Sequence, residues 1–63
     1  MCELTVFIDE NGEKRVIGEH IVKAVKKGEQ VVLMDAAGVV TKTGCSVIHS
    51  VDTMMQEMVL KKG

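Results

Sequence analysis

The sequence predicts one small domain built mainly of β-strands. Valine and isoleucine recur in short runs, and glycine-containing turns separate the runs. An Asn11–Gly12 pair lies between two such runs, and Asn-Gly is typical of tight hairpin turns because both residues tolerate positive φ. Neither proline nor a repeat nor a low-complexity tract divides the 63 residues. We therefore expect a single domain over residues 1–63.

The opening segment predicts a hairpin. Residues 1–8 read as the first strand, in which side chains alternate between the two faces. This alternation places one apolar set on a common face, namely Cys2, Leu4, Val6 and Ile8. Residues 9–12 form the turn, and residues 14–17 return as a second strand that Gly18 interrupts.

Three later segments also predict strands. Residues 30–35 form an apolar run whose length and branched residues indicate a strand buried on both faces. Residues 39–43 and 45–51 are β-branched stretches on either side of Gly44.

Two segments fit either a helix or a strand. Residues 19–28 place apolar side chains at positions 21, 22, 24 and 25, which suits one helical face, but alternation fits almost as well. Residues 52–62 also suit a helix with methionines on one face, or else a turn followed by a strand at 57–61. The local pattern leaves both segments open.

Size and composition limit the function classes. A chain of this length buries only about 60% of its unfolded surface, so a metal or oligomerisation is a common supplement. Two cysteines without a secretory signal do not indicate a disulfide framework, and we expect a homodimer. A formal net charge of −1 argues against a nucleic-acid surface. No apolar run approaches the roughly 20 residues that cross a bilayer, so we expect a cytoplasmic protein without a membrane partner.

Cys2 is the strongest candidate for chemistry. Its sulfur and its own backbone nitrogen can close a five-membered ring around a metal, and Ni(II) and Cu(II) accept square-planar nitrogen and sulfur ligands. Removal of Met1 would make that nitrogen a primary amine, and the ring can form in either state. The structural alternative is that Cys2 begins a buried strand as a small hydrophobic residue.

With these residues laid out, the chain resembles the CooT family of small nickel-binding proteins. The resemblance rests on the Met1-Cys2-Glu3 opening, the charged turn at 9–14, the turn and strand at 28–33, the hairpin at 38–40 and the 47–52 segment. It covers essentially the whole chain, and its most specific part is Met-Cys-Glu.

The resemblance implies an all-β, barrel-like sheet of about six or seven short strands joined by hairpins, which dimerises. It favours the strand alternative for both ambiguous segments. It also implies that Cys2 binds Ni(II) at the dimer interface, where the thiolate and backbone nitrogen of two chains form a square-planar centre. The family is associated with nickel supply to carbon monoxide dehydrogenase, which implies a metallochaperone with that client. Members have also carried an RNA-binding label.

The remaining candidate residues are more consistent with structural roles. Cys45 follows Gly44 at a strand start and suggests packing, although a mixed thiolate site is the alternative. His20 and His49 have no zinc-type spacing and read as surface or strand residues. Methionines at 34, 54, 55 and 58 are expected to fill a core that lacks aromatic residues. We find no catalytic pattern and expect no enzyme; the alternative function is a small RNA-binding or protein-interaction β-module without a metal.

Overall fold

Six strands make up the fold in the computed structural model, which describes residues 3–63. Those residues contain no helix, and therefore none that is long and apolar enough to cross a membrane. The all-β prediction is confirmed. The strands are β1 (Leu4–Glu10), β2 (Glu13–Lys27), β3 (Gln30–Asp35), β4 (Val40–Lys42), β5 (Val47–Asp52) and β6 (Glu57–Lys61).

The strands form one sheet in the order β4-β3-β2-β1-β6-β5. All neighbours are antiparallel except β1 and β6, which run parallel. The predicted barrel is wrong, because the edge strands β4 and β5 are not paired with each other in this sheet. Instead, the segment that connects β4 to β5 forms backbone hydrogen bonds with Val31 of β3. Val31 N donates to Cys45 O at 2.7 Å, and Thr43 N donates to Val31 O at 3.1 Å.

The predicted opening hairpin is confirmed, with a turn at Asn11 and Gly12, both at positive φ. The second strand does not end at Gly18, because β2 continues for 15 residues and pairs first with β1 and then with β3. Gly18 lies in a closely packed position, since a Cβ there would lie 3.1 Å from Ile21 Cδ1 and that side chain would have to shift by a few tenths of an ångström.

One face of the sheet carries the core. Its fully or nearly buried members are Val6, Ile8, Ile21, Val31, Leu33, Cys45, Met58 and Leu60, with Leu4 packed against them. The predicted common face of Leu4, Val6 and Ile8 is thus confirmed, while Cys2 lies outside the described residues. Burial of β3 on both faces is wrong, because only Val31 and Leu33 are buried and the alternate residues are half-exposed.

Both ambiguous segments are strands, as the resemblance implied. Residues 53–56 form a turn between β5 and β6. Of the methionines expected in the core, Met58 is buried, whereas Met54 and Met55 on this turn are 93% and 66% exposed. The core prediction is wrong for these two, because they lie on an exposed turn between two strands and not on the core face of a regular element.

Candidate functional site

The predicted nickel ligand, Cys2, lies outside the described residues, and so does Met1. Its role therefore remains a prediction. The structure does describe what surrounds the next residue, Glu3, and the start of β1. This end of β1 is the candidate site.

An open cleft of about 430 Å³ lies at this end of the sheet. Its lining is almost entirely polar and combines two carboxylates, an imidazole, an amide and a hydroxyl: Glu3, Glu19, His20, Gln56 and Thr5. Three separate parts of the chain contribute, namely the start of β1, the middle of β2 and the turn before β6. The topology therefore gathers these groups beside the residue that follows Cys2.

The best-defined contact in the cleft is between His20 and Glu3. His20 Nδ1 lies 2.8 Å from Glu3 Oε1, and both side chains are solvent-accessible. The hydrogen bond to Glu3 raises the pKa of His20 above its ordinary 6.5, and the negative charge of Glu3 adds to it. Desolvation opposes this rise in pKa, while the charges of Glu19 and Asp35 support it.

An irregularity in β2 positions His20 for this contact. The β1–β2 register changes between the Leu4–Ile21 pair and the Val6–Gly18 pair, so β2 carries one extra residue opposite β1 there. His20 lies within this bulge at φ 58°, a left-handed conformation that non-glycine residues rarely adopt. Bulges change the direction of a side chain relative to the regular alternation.

The turn between β5 and β6 is fixed against the start of β1. Gln56 O accepts a hydrogen bond from Thr5 N at 2.9 Å. Asp52 Oδ1 accepts hydrogen bonds from the backbone nitrogens of Met54 and Met55, each at 3.0 Å. The two exposed methionines are therefore held on an ordered turn next to the cleft.

The second thiol has a different environment. Cys45 is fully buried in the core, as the packing interpretation predicted, and its Sγ lies 3.8 Å from Thr43 O. His49 lies on the exposed strand β5. Among residues 3–63, no three histidine, cysteine or acidic side chains are grouped so that they could hold a metal ion.

Sequence reasoning missed the pairing of Glu3 with His20. A regular antiparallel register continued from the Asn11–Gly12 turn would already place residue 20 opposite residue 3, but the β2 segment around His20 was left open between helix and strand. In the structure the bulge shifts this register, so that Ile21 lies opposite Leu4, and His20 contacts Glu3 from within the bulge. Gly18, two residues before His20, is the only sequence signal for such a bulge.

Comparison with known proteins identifies relatives by sequence and by fold. Residues 1–61 match the family model described as "CO dehydrogenase accessory protein CooT". A crystal structure assigned to CooT from Carboxydothermus hydrogenoformans superimposes with a TM-score of 0.88 at 18% identity, covering 98% of each chain. At this identity the structural match speaks for the fold. No curated protein matches the chain.

Proposed function

Because this chain belongs to the CooT family, we propose that it is a Ni(II)-binding accessory protein that supplies nickel for maturation of carbon monoxide dehydrogenase. The observation that carries the proposal is the family match over residues 1–61, which includes the Met1-Cys2-Glu3 opening. The proposed role is metal binding and transfer rather than catalysis, in keeping with the description of the family as accessory.

The proposed ligands are the thiolate and the backbone nitrogen of Cys2. Together they form a five-membered chelate ring, and two such rings complete the square-planar nitrogen–sulfur set that Ni(II) accepts. A single chain supplies half of this set. We therefore propose a homodimer in which each chain contributes its Cys2, with nickel held between the two chain starts.

The described residues next to Cys2 support cation binding there. Glu3 follows Cys2 directly, and Glu19 lines the same cleft. Negative side chains around a cleft raise the local concentration of cations and speed their association. The ligands must lose protons before they bind the metal, so Ni(II) affinity should rise with pH.

A Ni(II) titration of the reduced protein, followed by absorption, tests this function. Saturation at one nickel per two chains, with thiolate charge-transfer bands and a diamagnetic centre, is the expected result. Cys2→Ser should abolish the bands, and Cys45→Ala is the matched control because it removes the buried thiol without touching the chain start. Unchanged Ni(II) affinity in Cys2→Ser would contradict the proposal.

A further inference from the structure

Met54 and Met55 form an apolar pair that the fold does not bury. Their exposures of 93% and 66% are the largest among the exposed large hydrophobic residues of residues 3–63. Methionine side chains are flexible and polarisable, and proteins use them repeatedly at binding surfaces. The pair therefore has the chemistry of an apolar contact surface.

The backbone that carries the pair is already ordered. Asp52 Oδ1 binds the amides of both methionines, and Gln56 takes φ 56° to close the turn. Docking on a preorganised turn costs less conformational entropy than docking on a free loop. The turn therefore needs little further ordering when it contacts a partner.

The turn is also tied to the end of the molecule that holds the proposed metal ligand. Gln56 O binds Thr5 N, and Thr5 is three residues after Cys2. In a two-fold dimer the same patch of both chains surrounds the axis. A contact that brings two Cys2 residues to one nickel therefore places the start of β1, and with it this turn, close to the axis.

The exposed apolar side chains of β5 do not meet this requirement. Strand β5 is a fully exposed edge with apolar side chains, and such edges can pair with a second chain. Since β6 lies between β5 and β1, pairing two β5 edges would leave the two β1 strands five strand spacings apart, about 24 Å along the sheet. The two residues before Leu4 extend at most about 7 Å from each chain.

From these contacts we propose that Met54 and Met55 form the apolar part of an interface with a second copy of this chain. The proposal rests on the shared nickel site of the proposed function, since that site fixes which end of the sheet meets its copy. Gln56 and the polar cleft then lie at the edge of the contact, and the carboxylates of Glu3 and Glu19 remain close to solvent.

Sedimentation equilibrium of the reduced protein, with and without Ni(II), tests the interface. The test variant is Met54→Glu with Met55→Glu, and the control is Val39→Glu with Val40→Glu, an apolar pair exposed at 59% and 58% beside the opposite edge. We expect the methionine variant to weaken dimerisation by about tenfold or more. The valine variant should dimerise like the original chain.

Each other result overturns the inference. The methionine variant must dimerise less strongly than the original chain, the valine variant must not dissociate more than the methionine variant, and the original chain must dimerise with or without Ni(II); a failure of any of these refutes the interface. Far-ultraviolet circular dichroism establishes that both variants are folded. Nickel titration of the same samples separates this inference from the proposed function. If Ni(II) binding is lost in Cys2→Ser but the methionine variant dimerises as before, only the proposed interface is refuted.

Oxidation of the unaltered chain provides a measurement that needs no variant. Dilute peroxide converts exposed methionine to sulfoxide, which mass spectrometry locates by residue. Dimerisation through this turn should slow oxidation of Met54 and Met55 at high protein concentration and leave buried Met58 slow throughout. Equal rates for Met54 and Met55 above and below the dimer dissociation constant would refute the contact.

Discussion

Cys45 offers a direct test of the division of roles between the two thiols. Its side chain is fully buried among Val31, Leu33 and other core residues. Replacing it by alanine removes one buried sulfur atom, which by analogy with a buried methylene and its residual cavity costs about 1–1.5 kcal/mol. The total stability expected for a chain of this length is about 3–9 kcal/mol. Cys45→Ala should therefore remain folded.

Cys45→Ser should be more destabilising than Cys45→Ala. Sγ lies 3.8 Å from Thr43 O, and the shorter carbon–oxygen bond would hold a serine hydroxyl farther from this acceptor. A buried hydroxyl without a partner adds about 1–3 kcal/mol. Urea unfolding of the three proteins should rank their free energies of unfolding as wild type, then alanine, then serine.

Thiol labelling completes this prediction. In the native protein Cys45 should react with an aromatic disulfide reagent only as fast as the chain unfolds, because the thiol is inaccessible. Labelling of Cys45 at the rate of an exposed thiol would refute the packing role. Loss of Ni(II) binding in folded Cys45→Ala would do the same and would place the second thiol in the metal site.

Three further predictions concern the cleft, the core and the turn. Because Glu3 raises the pKa of His20, the stabilisation from their contact is present below pH 6.5 and is lost as pH rises through the raised value. Glu3→Gln should therefore lower the pKa of His20, which a nuclear magnetic resonance titration measures. An unchanged pKa would contradict the contact. Leu33→Ala should cost about 2–5 kcal/mol in urea unfolding, since Leu33 is fully buried, while a loss below about 1 kcal/mol would mean that the core is misassigned. Asp52→Ala removes the acceptor for the amides of Met54 and Met55 and should speed their hydrogen exchange at least tenfold, whereas Asp52→Asn should retain most of the protection.

The strands that could be predicted are those whose local signals agree with their environment. Residues 30–35 were expected as a strand and have those bounds in the structure. Residues 57–61 were one of two local alternatives, and the resemblance selected the strand that the structure has. The Asn11–Gly12 turn likewise fixes its hairpin by local backbone preference alone. Residues 19–27 could not be assigned from their own pattern, because β2 pairs with two different strands and bends between them. Only whole-chain resemblance decided that segment.

The candidate site was less predictable than the fold because long-range register builds it. The hairpin register would bring His20 opposite Glu3, but the bulge that holds His20 at φ 58° is encoded by no periodic pattern. Exposure of Met54 and Met55 was missed for a related reason. Apolar residues predict a core only where the backbone is regular, and here a four-residue turn carries them. Chemistry at the chain start could be proposed from residue type, whereas its surroundings required the topology.

Dimerisation would both bury more apolar area in this small chain and complete the set of nickel ligands. A 63-residue sheet with an exposed edge and two uncovered methionines gains buried apolar area by pairing with its copy. One Cys2 offers two of the four ligands that a square plane requires. If a single contact satisfies both needs, metal binding and dimerisation are thermodynamically linked, and Ni(II) must tighten the dimer by the same factor by which dimerisation tightens Ni(II). Measuring the dimer dissociation constant with and without Ni(II) gives this factor, and a factor of one would mean that nickel binds away from the interface.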